Sequence, residues 1–216
     1  MRLLHIDSSI KRDKSVSRSL AGEAVAELVR SLPNLEVEYL DLTEEISKHF
    51  THDSLGLKFY EDRPYERSEV EDMAISERYV DQFLAADIVL IGAPLYNFFI
   101  PTQLKTWIDR ITQKKKLFVY TDQGPVGLAV DKTVIVVSVR GGLYQGEHAI
   151  TSEQPQERLF LRQMFGFYGI TDVRFACADG TDMGDGARTA ALAAARSDIQ
   201  AIVNDLTMIE SLKKVG

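Results

Sequence analysis

Asp87-Ile-Val-Leu-Ile91 runs straight into Gly92-Ala-Pro-Leu-Tyr-Asn-Phe-Phe99, and a helix-like segment begins close behind, near Thr102 or Gln103. The first part is short, apolar and β-branched, the make-up of a strand buried on both faces. Pro94 keeps that strand from continuing as a helix. The loop therefore stands at the carboxyl end of a parallel-type strand, where open α/β sheets take their ligands. It offers the flat ring of Tyr96, the amide of Asn97 and a run of backbone N–H groups. That set suits a planar heterocycle with polar edges. The plain alternative is an ordinary strand-to-helix loop with aromatics tucked into the core.

The rest of the chain fits a single α/β domain. Its 216 residues and 45% hydrophobic content allow one full core. A net charge of -7 favours solubility and argues against a nucleic-acid surface. No apolar run approaches the roughly 18 residues of a membrane span, and Met1-Arg-Leu-Leu-His-Ile6 reads as a strand rather than a signal peptide. The lone Cys177 permits no internal disulfide. These features lead us to expect a cytoplasmic protein.

Outward from the opening stretch, the pattern predicts strands at Leu3–Ile6, Leu35–Tyr39, Thr133–Val137 and Val173–Cys177. It predicts helices at Ser17–Leu32, Ser68–Ala85, Thr102–Ile111, Pro155–Tyr168 and Ala187–Ile209. Leu35–Tyr39 and Val173–Cys177 alternate and read as edge strands, the first with one wet face. Phe118–Tyr120 and Gly127–Val130 flank a Gly-Pro turn and suggest a small hairpin outside the main sheet. Residues 43–65 show no clear period and read as an excursion with one short helical turn at most, a surface flap. Strands alternating with helices imply a three-layer sandwich with right-handed crossovers. The expected fold is flavodoxin-like, with a five-stranded parallel sheet in the order 2-1-3-4-5.

In that order the loops after strands one, three and four share one crevice. The first offers the hydroxyls of Ser9, Ser15 and Ser17 at a helix amino terminus, a seat for phosphate, although serines there also serve simply as caps. The second offers Tyr96 and Asn97. The third offers Gly141 and Gly142, where missing side chains let backbone N–H groups approach a ring edge. Neither Gly-x-Gly-x-x-Gly nor Gly-x-x-x-x-Gly-Lys is present. A phosphate seat beside a slot for a flat polar ring describes flavin mononucleotide (FMN).

Nearly the whole chain resembles the FMN-dependent NADH azoreductases, also called FMN-dependent NADH:quinone oxidoreductases, of the flavodoxin-like superfamily. The resemblance rests on Ala93-Pro-Leu-Tyr-Asn-Phe98 with Thr102-Gln-Leu-Lys105, on Tyr120-Thr-Asp-Gln-Gly-Pro-Val-Gly-Leu128, on Arg140-Gly-Gly142 and on Gly166-Phe-Tyr-Gly-Ile-Thr-Asp172. Ser8-Ser9 and Ser15-Val-Ser17 add to it. It implies FMN contacts at Ser9, at Ser15, Val16 and Ser17, at Leu95, Tyr96, Asn97 and Phe98, and at Val139, Arg140, Gly141 and Gly142. Leu95 stands where the family often has methionine, a swap of similar size. Val139 stands where it often has serine, which leaves a backbone contact only, unless Ser138 compensates. The resemblance further implies tightly bound FMN and a ping-pong cycle. NADH gives a hydride to the flavin, and a quinone or an azo compound then receives two electrons. It implies a homodimer with the flavin near the interface. Phe98, Phe99, Phe118 and Tyr120 would supply apolar surface there, and the hairpin is expected to cover a flavin, its own or the partner's.

No acid–base residue stands out, and no metal site is expected, since His49, His52 and His148 lack ligand spacing. His5 reads as a core or capped histidine, Cys177 as packing on the inward face of an edge strand, Lys114-Lys-Lys116 as a solvated turn, and Arg140 either as reaching a nicotinamide phosphate or, the favoured reading, as projecting into solvent. Three rival functions differ in class. An FMN electron carrier without its own substrate is separated by quinone turnover. A hydrolase would want a Gly-x-Ser-x-Gly elbow, which is absent. A receiver module would want a phosphoacceptor aspartate after strand three, where Gly92-Ala-Pro94 offers none.

Overall fold

Ile88–Pro94 forms strand β3, buried at every residue, at the middle of a five-stranded sheet ordered β2-β1-β3-β6-β7. The computed structural model describes residues 1–44, 49–51, 54, 64–144 and 155–213. The other strands of this sheet are β1 (Arg2–Asp7), β2 (Glu36–Asp41), β6 (Thr133–Arg140) and β7 (Asp172–Asp179). All its pairs are parallel. The helices are α1 (Val16–Ser31), α2 (Arg67–Ala85), α3 (Thr102–Ile111), α4 (Gln156–Phe167) and α5 (Asp185–Lys213). A separate antiparallel ribbon joins β4 (Phe118–Thr121) to β5 (Gly124–Gly127). This is the expected flavodoxin-like sandwich, with β2 and β7 at the edges.

The apolar strands follow from having a core on each face. Leu4, Ile6, Val89, Ile91, Val134 and Val136 pack with Phe83 of α2, Trp107 of α3 and Phe165 of α4. Leu3, Ile88, Leu90, Ile135 and Val137 pack with Leu20 and Leu28 of α1 and with Ile199 and Val203 of α5. Neither face of β1, β3 or β6 is wet, so their residues cannot alternate.

Both edge strands differ from expectation. In β2, Glu36 to Tyr39 are exposed on both faces and only Leu40 is buried. In β7, the face opposite Cys177 is the drier one, with Ala176 and Ala178 buried in the α1/α5 core. Cys177 is half-buried, and burial pushes its thiol pKa up. Strand β6 runs past Val137 to Arg140, because β7 pairs with it as far as Asp179. Helix α2 starts at Arg67, capped reciprocally by Glu66 and Glu69 rather than by Ser68. The hairpin turn is tighter than expected, spanning Thr121 to Gly124. Leu128 and Ala129 leave the ribbon to bond Leu117 and Tyr168. The cause is Gly127, where a Cβ would lie 2.1 Å from the Gly169 nitrogen, so only glycine lets the ribbon sit this close to the end of α4.

Most of the 43–65 excursion lies outside the described residues. Ser54, within it, is buried and donates to Asp72 Oδ2 at 2.6 Å. Asp72 in turn takes the fully buried Arg110 guanidinium at 2.8 Å, a link between α2 and α3. Among the described residues, no helix is long and apolar enough to cross a membrane.

Candidate functional site

A cleft of about 790 Å³ opens where the carboxyl ends of β1, β3 and β6 meet. That volume falls in the roughly 300–1,000 Å³ range of small-molecule sites. Its walls are the Ser9–Ser17 segment, the Leu95–Gln103 segment, Val139 with Gly141, and a fourth wall made by Thr181, Asp182 and Arg188.

The first wall is a loop bridging β1 and α1. Ser9, Ser15 and Ser17 are buried, and the intervening residues 10–14 are exposed. Ser15 caps α1, its Oγ accepting from the Arg18 N–H at 3.2 Å and lying 3.0 Å from Ser17 Oγ. Among the described residues, none takes up the N–H groups of Val16 or Ser17. Two free amides and the positive end of a helix dipole thus face the cleft, an arrangement that attracts an anion. Ser9 Oγ lies 3.0 Å from Tyr96 Oη and so ties the first wall to the second.

The second wall is a reversed turn. Tyr96 N–H donates to the Phe99 carbonyl at 2.9 Å and Phe99 N–H to the Tyr96 carbonyl at 3.0 Å. The two central residues, Asn97 and Phe98, have φ of 48° and 68°. Positive φ at both positions makes a type I′ turn, whose usual central pair is Asn-Gly. Asparagine enters the left-handed region readily, whereas a bulky residue there costs about 1–2 kcal/mol. Phe98 bears that cost while 59% exposed.

The third wall is held from behind. Arg140 does not project into solvent. Its side chain is fully buried, with Nε 2.7 Å from Glu157 Oε1 and Nη1 2.9 Å from Asp179 Oδ1. Its carbonyl accepts from the N–H groups of Gly180 and Thr181 and from the Thr181 hydroxyl. Burial outweighs Arg140 in setting the Asp179 pKa, which is raised. The residue reads as exposed in sequence because arginine usually is; β7 and α4 enclose it here. Ser138 offers no compensation for Val139, since its hydroxyl donates to Glu157 Oε1 at 3.3 Å, on the opposite face of β6. At Gly141 a Cβ would meet Asp182 Oδ2 at 2.5 Å, so the missing side chain admits a neighbouring carboxylate to the cleft wall.

A family model described as a flavodoxin-like fold matches residues 1–203. An FMN-dependent NADH:quinone oxidoreductase of Albidiferax ferrireducens is 50% identical over 201 residues, covering 93% of this chain and 98% of the relative. The chain belongs to the FMN-dependent NADH:quinone oxidoreductase family. A member from Azospirillum brasilense is 46% identical over 94% of this chain and 97% of its own length. Two solved structures extend the likeness. An azoreductase from Bacillus anthracis superposes with a TM-score of 0.85 at 28% identity, covering 95% of this chain and 99% of that one. An FMN-dependent NADH-azoreductase of the same species, solved in complex with FMN, gives 0.84 at 25% identity over 96% and 100% of the two chains.

The residues carried over by resemblance to this family divide in the structure. Ser9, Ser15, Val16, Ser17, Leu95, Tyr96, Asn97, Val139 and Gly141 line the cleft. Phe98, Arg140 and Gly142 stand beside it: Phe98 at the turn's tip, Arg140 behind the wall, and Gly142 with its carbonyl taken by the Gly180 N–H. The reading from sequence missed the fourth wall. Gly180-Thr-Asp182 follows β7, a strand read as edge and therefore remote, and no motif marks it. Its one visible signal is Gly180, whose φ is 85°. The Lys114–Lys116 turn is less solvated than expected, with Lys116 Nζ 2.7 Å from Glu77. His5 is buried as expected, its ring 5.0 Å from that of Tyr39. His52 and His148 lie outside the described residues.

Proposed function

We propose that the cleft holds FMN and that the protein is an FMN-dependent NADH:quinone oxidoreductase that also reduces azo compounds. The observation that carries this is the pairing of two seats in one cleft. At one end are the Val16 and Ser17 amides, unpartnered among the described residues, beside the Ser9 and Ser17 hydroxyls. At the other is a slot between the Tyr96–Phe99 turn and Gly141. The first fits a phosphate monoester and the second a flat ring with polar edges. When bound, FMN supplies the two-electron chemistry between a nicotinamide and an acceptor.

The chain's own residues bind, orient and tune. Ser9, Ser15, Val16 and Ser17 hold the phosphate with neutral donors. Leu95 and Val139 supply apolar contact, and Tyr96, Asn97 and Phe98 position the ring. Arg140 braces Gly141 and Gly142 from behind, so that their amides offer fixed dipoles where negative charge builds on reduction. The protein works in the cytoplasm as a homodimer. Phe98 and Tyr120, 59% and 65% exposed, provide apolar surface for the second copy, whereas Phe118 is buried within its own chain.

The deciding measurement is optical. Purified protein is expected to be yellow, to bleach with NADH and to recolour with a quinone. Colourless protein that takes up no FMN by calorimetry overturns the assignment. A monomeric, fully active enzyme in solution scattering overturns the dimer.

A further inference from the structure

Arg18 sits in the first turn of α1, yet it does not line the cleft. Its backbone N–H donates to Ser15 Oγ at 3.2 Å, at one end of the exposed 10–14 loop. Its side chain reaches the other end, where Nε and Nη2 donate to the Ser9 carbonyl at 3.3 and 3.0 Å. One residue thus clasps both ends of a loop whose intervening residues have no burial of their own. The loop holds one short helical turn with a left-handed Arg12, φ of 47°, and the clasp fixes where that turn sits relative to β1 and α1.

The guanidinium is itself seated. Asp41 takes Nη1 at 2.5 Å and Nη2 at 2.8 Å, Thr43 Oγ1 lies 3.0 Å from Nη2, and Tyr39 Oη lies 3.1 Å from Nη1. Tyr39 donates onward to the buried Asp7 at 3.0 Å. With the carboxylates of Asp7 and Asp41 around it, the guanidinium adds no net positive field to the cleft. Its contribution is geometric, and only a planar fork makes these bonds together.

We propose that Arg18 is the positioning residue of the phosphate seat, setting affinity for the phosphate of FMN without touching it. This rests on the FMN reading above. The Ser9 carbonyl fixes the plane of the peptide that follows it and, with it, the path to Lys11, whose N–H donates to Ser9 Oγ at 3.3 Å. Releasing that carbonyl frees the loop while the strands that carry the ring slot, β3 and β6, and the backbone turn from Tyr96 to Phe99 keep their own bonds.

The test compares FMN with riboflavin, which lacks the phosphate, by titration of apoprotein. In Arg18→Lys the charge remains but the fork is lost. The Kd for FMN is expected to rise about tenfold or more, with the riboflavin Kd within about twofold of wild type. Asp41→Asn tests the same clasp through its seat, with a smaller rise expected for FMN alone. Unchanged FMN affinity in both variants overturns the proposal. So does an equal loss for FMN and riboflavin, which marks a purely structural residue. Wild-type protein that binds neither flavin overturns the FMN reading as well, and that result is seen before any variant is made.

Discussion

Phe98 holds a conformation that its own side chain resists. Glycine there relieves the left-handed strain, whereas a β-branched residue increases it. Phe98→Gly is expected to keep the wild-type urea midpoint, because the strain relieved is offset by the greater freedom glycine gives the unfolded chain. Phe98→Val is expected to lose about 1–2 kcal/mol by the same measurement. Equal stabilities for the two variants would show that the turn is not strained. Gly141 works through a neighbour. In Gly141→Ala the new methyl must push Asp182 aside, so FMN affinity is expected to fall. In Gly141→Ala/Asp182→Ala the loss is expected to be largely restored, a coupling of about 1 kcal/mol or more in the double-mutant cycle. Additive losses by titration count against the contact. At this scale the chemistry is legible in the sequence and the geometry is not. Tyr96, Asn97 and the serines announce their functional groups. The handedness of residue 98 and the burial of Arg140 depend on partners beyond the local pattern, namely Phe99 pairing back to Tyr96 and Glu157 and Asp179 closing over a guanidinium.

Among the elements, the central strands are legible because both faces are dry, and an unbroken apolar run of that length suits a doubly covered strand. The edges are less so. Alternation in β7 reads as edge-like, and the alanines give no sign in the sequence that α5 packs on them. The ribbon lies a few residues from its expected place because its register is set by tertiary contact rather than by its Gly-Pro signal. Two motifs far apart in the chain, around Gly127 and Gly169, meet backbone to backbone. Gly127→Ala is therefore expected to cost about 3 kcal/mol or more, since backbone and not a pliable side chain must yield. Urea unfolding checks this, and an unmoved midpoint would refute the close approach.

For the whole molecule, strand order follows from which strands are apolar throughout. The fourth wall of the cleft does not, because a loop after an edge strand gives no reason to place it at the site until its amides are seen to bond back to the carbonyls of Arg140 and Gly141. The pH response is also a property of the assembly. Burial alone would raise the Asp41 pKa, but bonds from Arg18 and from the Thr43 N–H and hydroxyl outweigh it and leave the carboxyl below its usual range. A folded-state value lower than the unfolded one gives stability that is complete above the ordinary aspartate pKa of about 3.9 and is lost as pH falls through the folded value. Wild type is thus expected to weaken more steeply than Asp41→Asn between about pH 5 and pH 2, as followed by urea midpoints. Parallel curves would remove Asp41 from the acid response.

The ribbon's anchoring separates two evolutionary fates. Its base is soldered to the end of α4 through a glycine whose Cβ would strike backbone, whereas its tip, from Thr121 to Gly124, is exposed or nearly so. Length and charge at that tip can therefore change without disturbing the cleft, none of whose lining residues comes from the ribbon.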